Sequence, residues 1–200
     1  MASISHGQEM SGKRVTGMTL WLTGLPCAGK TTIARLVAQA LADRGERVEL
    51  LDGDDVRKDF SAGIGFSRDE RGLHLRRVAH LCHLLTKHGV TVVAAFVSPY
   101  QEHRDDARRL LGARFIEIYV KTPLEECRRR DVKGMYQRAM AGELTQFTGI
   151  SAPYEPPTHP ELTIHTLNES PQDSAQRILD ALPDLGRMAG RSVVKAGGSS

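Results

Sequence analysis

Short continuous apolar runs punctuate this chain: Met18 to Thr23, Arg47 to Leu51, Val90 to Val97, Phe115 to Val120 and Leu162 to Thr166. Between them, apolar residues return every three or four positions. Runs of this length suit strands buried on both faces of a parallel sheet, and the intervening period suits amphipathic helices. The first periodic stretch, Thr31 to Leu41, carries Ile33, Leu36, Val37, Ala40 and Leu41 and stops at Asp43-Arg44-Gly45. A longer helix has Leu75, Val78, Cys82 and Leu85 on its apolar face and ends at Gly89. Further helices are predicted over Glu102 to Leu111, from Pro123 through Arg130, and over Ser174 to Leu182. Strand alternating with helix throughout predicts an α/β fold, a doubly wound parallel sheet with helices on both faces and the ligand at the C-terminal strand ends.

Some stretches lack either period. Residues 1–16 are polar and are expected to form a flexible arm, residues 17–185 the one folded domain, and residues 186–200 a flexible tail. Asp59 to Ser67 is rich in Gly and Ser, with Phe60 and Phe66 embedded, and is expected to be a loop. Lys133 to Pro160 is long and irregular, which is the mark of an active-site lid or binding loop.

The chemistry begins at Gly24-Leu25-Pro26-Cys27-Ala28-Gly29-Lys30-Thr31-Thr32, which fits Gly, four residues, Gly-Lys-Thr between a strand and a helix. Such a loop aims backbone N–H groups and a helix N-terminus at one anion and adds the Lys30 ammonium. The anion expected is the β- and γ-phosphates of a nucleotide, with the Thr31 hydroxyl on Mg²⁺. The second strand runs straight into Asp52-Gly53-Asp54. Alternation along extended chain would let both carboxylates face one metal or one hydroxyl. No Asn-Lys-x-Asp for reading guanine is present, and Val90 to Val97 ends in Ser-Pro-Tyr rather than an aspartate. The carboxylate role therefore passes to Asp52 and Asp54, as in a small-molecule kinase.

Composition narrows the partners. With 200 residues, 40% hydrophobic, the chain can bury one good core. A net charge of +3 without a basic arm argues against nucleic acid, and no apolar run approaches membrane-spanning length. Cys27, Cys82 and Cys127 lie far apart without metal or disulfide spacing, which favours a reducing, cytoplasmic setting.

Between Leu20 and Leu182 the chain resembles the adenylylsulfate (APS) kinases. The resemblance is carried by LDGDDVR (51–57), GFSRDER (65–71), RRVAHL (76–81), FVSPYQEHR (96–104), FIEIYV (115–120), CRRRDVKGMYQRAMAGE (127–143), FTGI (147–150) and PYEPP (153–157). It implies phosphoryl transfer from MgATP to the ribose 3′-hydroxyl of adenosine 5′-phosphosulfate (APS), giving PAPS and ADP. ATP and Mg²⁺ are the implied cofactors, and a homodimer and fusion or association with ATP sulfurylase the implied assemblies.

On this resemblance Asp54 accepts or orients the 3′-hydroxyl proton, and Asp52 supports it or holds Mg²⁺ with Thr31. Arg57 and Arg71 grip the phosphosulfate and ribose, while Phe66 and Phe147 sandwich the adenine. Lys133 swings in with the lid, and Val97 and His74 line the APS site. Ser98 matches the family's phosphoserine position, but a hydroxyl needs an activating base to attack, so it is expected as a substrate contact. Three positions depart from the family pattern: the Pro26-Cys27-Ala28 loop interior, Asp55 for a frequent Asn, and His74 for another. Cys27 would sensitise the site to thiol reagents, and His74 would make APS affinity depend on pH between 6 and 8.

Overall fold

The computed structural model describes residues 17–195, with side chains described as far as Gly186. The expected arm, residues 1–16, and the last residues of the expected tail, 196–200, lie outside the described residues. Five strands, β1 (Thr19–Thr23), β2 (Val48–Asp52), β3 (Thr91–Ala95), β4 (Phe115–Lys121) and β5 (Leu162–His165), form one sheet in the order β2-β3-β1-β4-β5. All pairings are parallel, with Thr19 opposite Val92 on one side of β1 and Phe115 on the other. The doubly wound parallel fold expected from the alternation is the fold observed.

Alternation within β1 shows how the layers form. Leu20 and Leu22 point to one face, where α1 (Lys30–Asp43) and α7 (Pro171–Lys195) pack Ile33, Val37, Leu41 and Ile178 against them. Trp21 points to the other, against Leu75 and Val78 of α3 (Arg68–Lys87) and Ala107 of α4 (Gln101–Leu111). Trp21 sits between the rings of Phe96, 5.5 Å away, and Phe115, 5.6 Å away. Both faces of the central strands are thus covered, as their unbroken apolar runs require.

The start of α3 is written locally. Ser67 accepts a hydrogen bond from the Glu70 backbone N–H, and the Glu70 carboxylate accepts from the Ser67 N–H, a reciprocal cap.

Two segments depart from expectation. The chain turns directly from β2 into α2 (Gly53–Asp59), so Asp54 belongs to the first turn of a helix and not to extended chain. Within Lys133 to Pro160 a short helix, α6 (Met135–Met140), follows α5 (Leu124–Arg130). It forms because the Asp131 carboxylate accepts from the backbone N–H groups of Tyr136 and Gln137, at 3.0 Å each. Tyr136 is fully buried and donates its hydroxyl to Pro26 O, 3.0 Å away. The rest of the segment is irregular, and α7 runs on to Lys195, past Leu182 where the periodic pattern stops.

Candidate active site

A cavity of about 630 Å³ opens at the C-terminal ends of the strands. One end is the loop between β1 and α1. Gly24, at φ 155°, lies so close to β4 that a Cβ would meet Val120 O at 2.5 Å; glycine is required there. Gly29 precedes α1 in a left-handed conformation, and α1 has neither a side-chain cap nor an acidic residue in its first turn. Its first N–H groups are therefore available to an anion.

Pro26, Cys27, Gly29, Lys30, Thr31 and Thr32 line the cavity. Gly24, Leu25 and Ala28 do not: they build the loop from behind. Leu25 packs against Gly149, Ala28 is buried in the core, and the carbonyls of Gly24 and Leu25 accept from Lys30 Nζ at 3.0 and 2.8 Å. Burial pushes the Lys30 ammonium down to about 8, and a bound phosphate would draw it back toward its ordinary range.

Thr31 and Asp52 meet as expected. Thr31 Oγ1 donates to Asp52 Oδ2 at 2.6 Å, and Asp52 Oδ1 accepts from the Asp54 N–H at 3.0 Å, which caps α2. An alcohol and a carboxylate beside a phosphate cradle suit Mg²⁺, a hard cation that takes few protein ligands and completes its shell with phosphates and water. No group of three His, Cys, Asp or Glu side chains forms a metal cage among the described residues. The donor set thus fits a metal that arrives with its nucleotide. Asp54 lines the cavity beside Asp52 and pairs with Lys133, which reaches across from the turn between α5 and α6. The Asp54 carboxylate holds the Lys133 ammonium above its ordinary range.

The other end of the cavity is a cluster of side chains from α2, α3 and the loop between them. Arg57 donates to Ile64 O and Gly65 O, both at 3.0 Å, and its guanidinium lies 4.4 Å over the Phe66 ring. Arg71 is buried and donates to Phe66 O at 2.7 Å and to Gln146 O at 2.6 Å, tying the Phe66 loop to the Phe147 loop. The two rings differ in standing. Phe66 is 52% exposed, whereas Phe147 is 7% exposed and packs edge-on against Tyr136 at 5.0 Å. Both line the cavity.

His74 is buried, shares a 2.7 Å hydrogen bond with Ser61 Oγ and lies 5.7 Å from the Phe96 ring. Burial first, then Arg57, Arg77 and Arg71, push its imidazole down to about 4. A ring held that low would stay neutral between pH 6 and 8, which runs against the titration expected there.

Val97 lines the cavity half-buried. Ser98 is also at the wall, but its side chain turns inward. Ser98 Oγ accepts from Trp21 Nε1 at 3.1 Å and donates to Thr23 Oγ1 at 2.9 Å, with no carboxylate or imidazole among its partners. It has no activating base.

Sequence reasoning passed over Arg130. Arg128 pairs with Glu125 and Arg129 with Glu126, while Arg130 shares Glu126 at 2.8 Å and also turns toward the loop of Gly24 to Thr32, donating to Thr166 O at 2.8 Å. With Thr166, Glu169, Pro171 and Ser174 it lines the cavity beside the phosphate loop. Helical spacing separates the three arginines, but Thr166 becomes the neighbour of Arg130 only because β5 pairs with β4.

A phosphate loop at one end, paired carboxylates in the middle and an arginine-aromatic pocket at the other define a P-loop kinase of small molecules. The family model for adenylylsulphate kinase matches residues 16–165. An adenylyl-sulfate kinase of Picosynechococcus sp. is 48% identical over 170 residues, 85% of this chain and 96% of that protein. The APS kinase of Mycobacterium tuberculosis, solved in complex with AMPPNP and APS, superposes with a TM-score of 0.81 at 41% identity, covering 84% of this chain and 98% of that one. A hexameric APS kinase from Thiobacillus denitrificans superposes with a TM-score of 0.66 at 32% identity, over 86% of this chain but 30% of the other. The chain belongs to the adenylylsulphate kinase family.

Proposed function

We propose that this chain transfers the γ-phosphoryl group of MgATP to the ribose 3′-hydroxyl of APS, releasing PAPS and ADP. One observation carries the reading. A single cavity joins Lys30 and Thr31 at one end to Arg57, Phe66 and Arg71 at the other, with Asp52 and Asp54 between them. Phosphoryl transfer asks mainly for alignment and charge neutralisation, and that order of groups supplies both.

The loop N–H groups and Lys30 hold the donor phosphates. Thr31 and Asp52 would hold Mg²⁺, which when bound withdraws charge from the phosphate oxygens. Asp54 accepts the proton of the 3′-hydroxyl, and Lys133, paired with Asp54, moves onto phosphate charge as the acceptor arrives. Arg57 and Arg71 meet the phosphosulfate, and the adenine lies against Phe66 with Phe147 as the fixed wall. Val97 and His74 complete the pocket. Ser98 supports its floor, and an intermediate on its hydroxyl is not needed for direct transfer.

The test is to mix the protein with MgATP and APS and follow PAPS by chromatography. Asp54→Asn should lower kcat by about 10²-fold, as expected for loss of a positioned proton acceptor. A rate within a factor of a few of wild type would remove Asp54 from the chemistry.

The same reading extends to a cytoplasmic homodimer. Three free cysteines support a reducing compartment, no described helix is long and apolar enough to cross a membrane, and the hexameric relative supports self-association. The greater length of that relative's chain leaves room for fusion to, or association with, a second activity such as ATP sulfurylase. Sedimentation of the purified chain tests the dimer.

A further inference from the structure

A buried polar network lies just behind the cavity, and its hub is a residue with no route to the substrates. Arg104 of α4 is 0% exposed. Its Nε donates to Glu117 Oε1 at 2.8 Å, its Nη1 to Ser98 O at 2.7 Å, and its Nη2 to Gln101 Oε1 and Glu155 O, both at 2.7 Å. Glu117, buried in β4, is shared with Arg108, which also grips Glu161. A buried guanidinium so fully paired is strongly held, because removing any partner strands a charge or a carbonyl.

What Arg104 holds lies on the acceptor wall. Ser98 has φ 37°, a left-handed conformation that a non-glycine residue keeps only when its surroundings impose it. Its carbonyl points at Arg104, and its hydroxyl is fixed by Trp21 and Thr23. The neighbouring Val97 and Pro99 line the cavity. Through Glu155 O, Arg104 also holds the segment that follows the Phe147 loop; this segment is tied as well by Glu155 N to Pro99 O at 2.8 Å and by Gln101 N to Glu155 Oε2 at 2.7 Å. Thr23 closes the circuit. It is the last residue of β1 before the phosphate loop, donates to Val97 O at 2.8 Å and shares a 3.1 Å bond with the Tyr154 hydroxyl.

We propose that Arg104 is a positioning residue for the acceptor: it fixes the bend at Ser98, which follows β3, and the 153–157 loop against each other, and so sets the place of the APS wall relative to the phosphate loop. It touches neither substrate. The inference rests on reading the outer half of the cavity as the APS side.

Arg104→Lys tests it, since a lysine can keep the charge against Glu117 but cannot reach Ser98 O, Gln101 and Glu155 O together. Expected are a KM for APS raised at least fivefold, a weaker APS affinity by calorimetry in the same proportion, a lowered kcat, and AMPPNP affinity within twofold of wild type. A residue that served only to stabilise the fold would lower the melting temperature and leave APS affinity of the folded protein unchanged, and that result overturns the proposal. If Arg104→Lys does not fold, Glu155→Ala decides, because Glu155 is half-exposed and its carboxylate ties the same loop to α4. A rise of about threefold in the KM for APS supports the proposal, and no rise ends it. Wild-type protein that fails to bind APS would overturn the assignment of the cavity and this inference with it; wild type that binds APS, with Arg104→Lys unchanged, overturns the inference alone.

Discussion

The two ends of the cavity hold their ligands by different means. At the phosphate end the main chain does most of the work: an uncapped helix N-terminus, a glycine wedged under β4, and one lysine whose ammonium rests on two carbonyls. At the acceptor end each functional side chain leans on another. Arg57 supports the Phe66 ring, Arg71 ties the Phe66 and Phe147 loops together, and Lys133 pairs with Asp54. Deleting a side chain at the phosphate end should remove one interaction from an intact frame. At the acceptor end it should displace several groups at once.

Lys30→Ala is the largest test of that difference. Loss of a charge aimed at the transferring phosphates, in a site that excludes water, should cost about 10³-fold in kcat. The melting temperature should shift by no more than a few degrees, since relief of the buried ammonium's desolvation offsets the loss of its bonds to Gly24 O and Leu25 O. A steady-state assay beside a thermal melt reads both. A rate loss accompanied by a melt many degrees lower would show that the phosphate end is no more independent than the acceptor end.

Arg71→Met comes next. It keeps the apolar bulk but leaves Phe66 O and Gln146 O, both part-buried, without their donor, and the two loops lose the tie between them. The KM for APS should rise about tenfold or more, and stability should fall in the same variant while the KM for ATP stays put. If APS binding weakens with no loss of stability, Arg71 acts only as a ligand contact and the two walls are not joined through it.

The same contrast explains what could be read from the chain. The phosphate loop was legible because its ligand groups are contiguous: Gly24 to Thr32 carries the turn, the lysine and the hydroxyl in one strand-loop-helix unit. The parallel sheet was legible because buried strands leave unbroken apolar runs. The acceptor pocket has no such local signature, and only the matched motifs gathered Arg57, Phe66, Arg71 and Phe147 together. What failed had several causes. Asp52 is both the last residue of β2 and the N-cap of α2, so the local cap signal overlaps the strand end and Asp54 reads as extended chain, and α6 was missed because its cap, Asp131, stands several residues before its first turn. Arg104 reads as one more charged residue of an amphipathic helix; its burial depends on Glu117, 13 positions away in a neighbouring strand.

His74 gives the smallest expected effect and the sharpest test of how closed the acceptor end is. In sequence it promises a switch near neutral pH. In the fold it sits among Arg57, Arg71 and Arg77, shielded from water and bonded to Ser61, with its pKa pushed down to about 4. The unfolded chain, near 6.5 for histidine, binds the proton more readily than the folded one. The contribution of His74 to stability is therefore complete above about pH 6.5 and is lost as the pH falls from there toward 4. The KM for APS should stay flat between pH 6 and 8, while the melting temperature drops as the pH is lowered from 6.5 to 4.5. His74→Asn should keep the flat KM and show a shallower drop, the difference between the two proteins isolating the imidazole from the carboxylates that titrate nearby in pH. A KM for APS that changes several-fold between pH 6 and 8 in wild type but not in His74→Asn would mean that water reaches this ring, and that the acceptor pocket is open where its arginines and Phe96 are packed to close it.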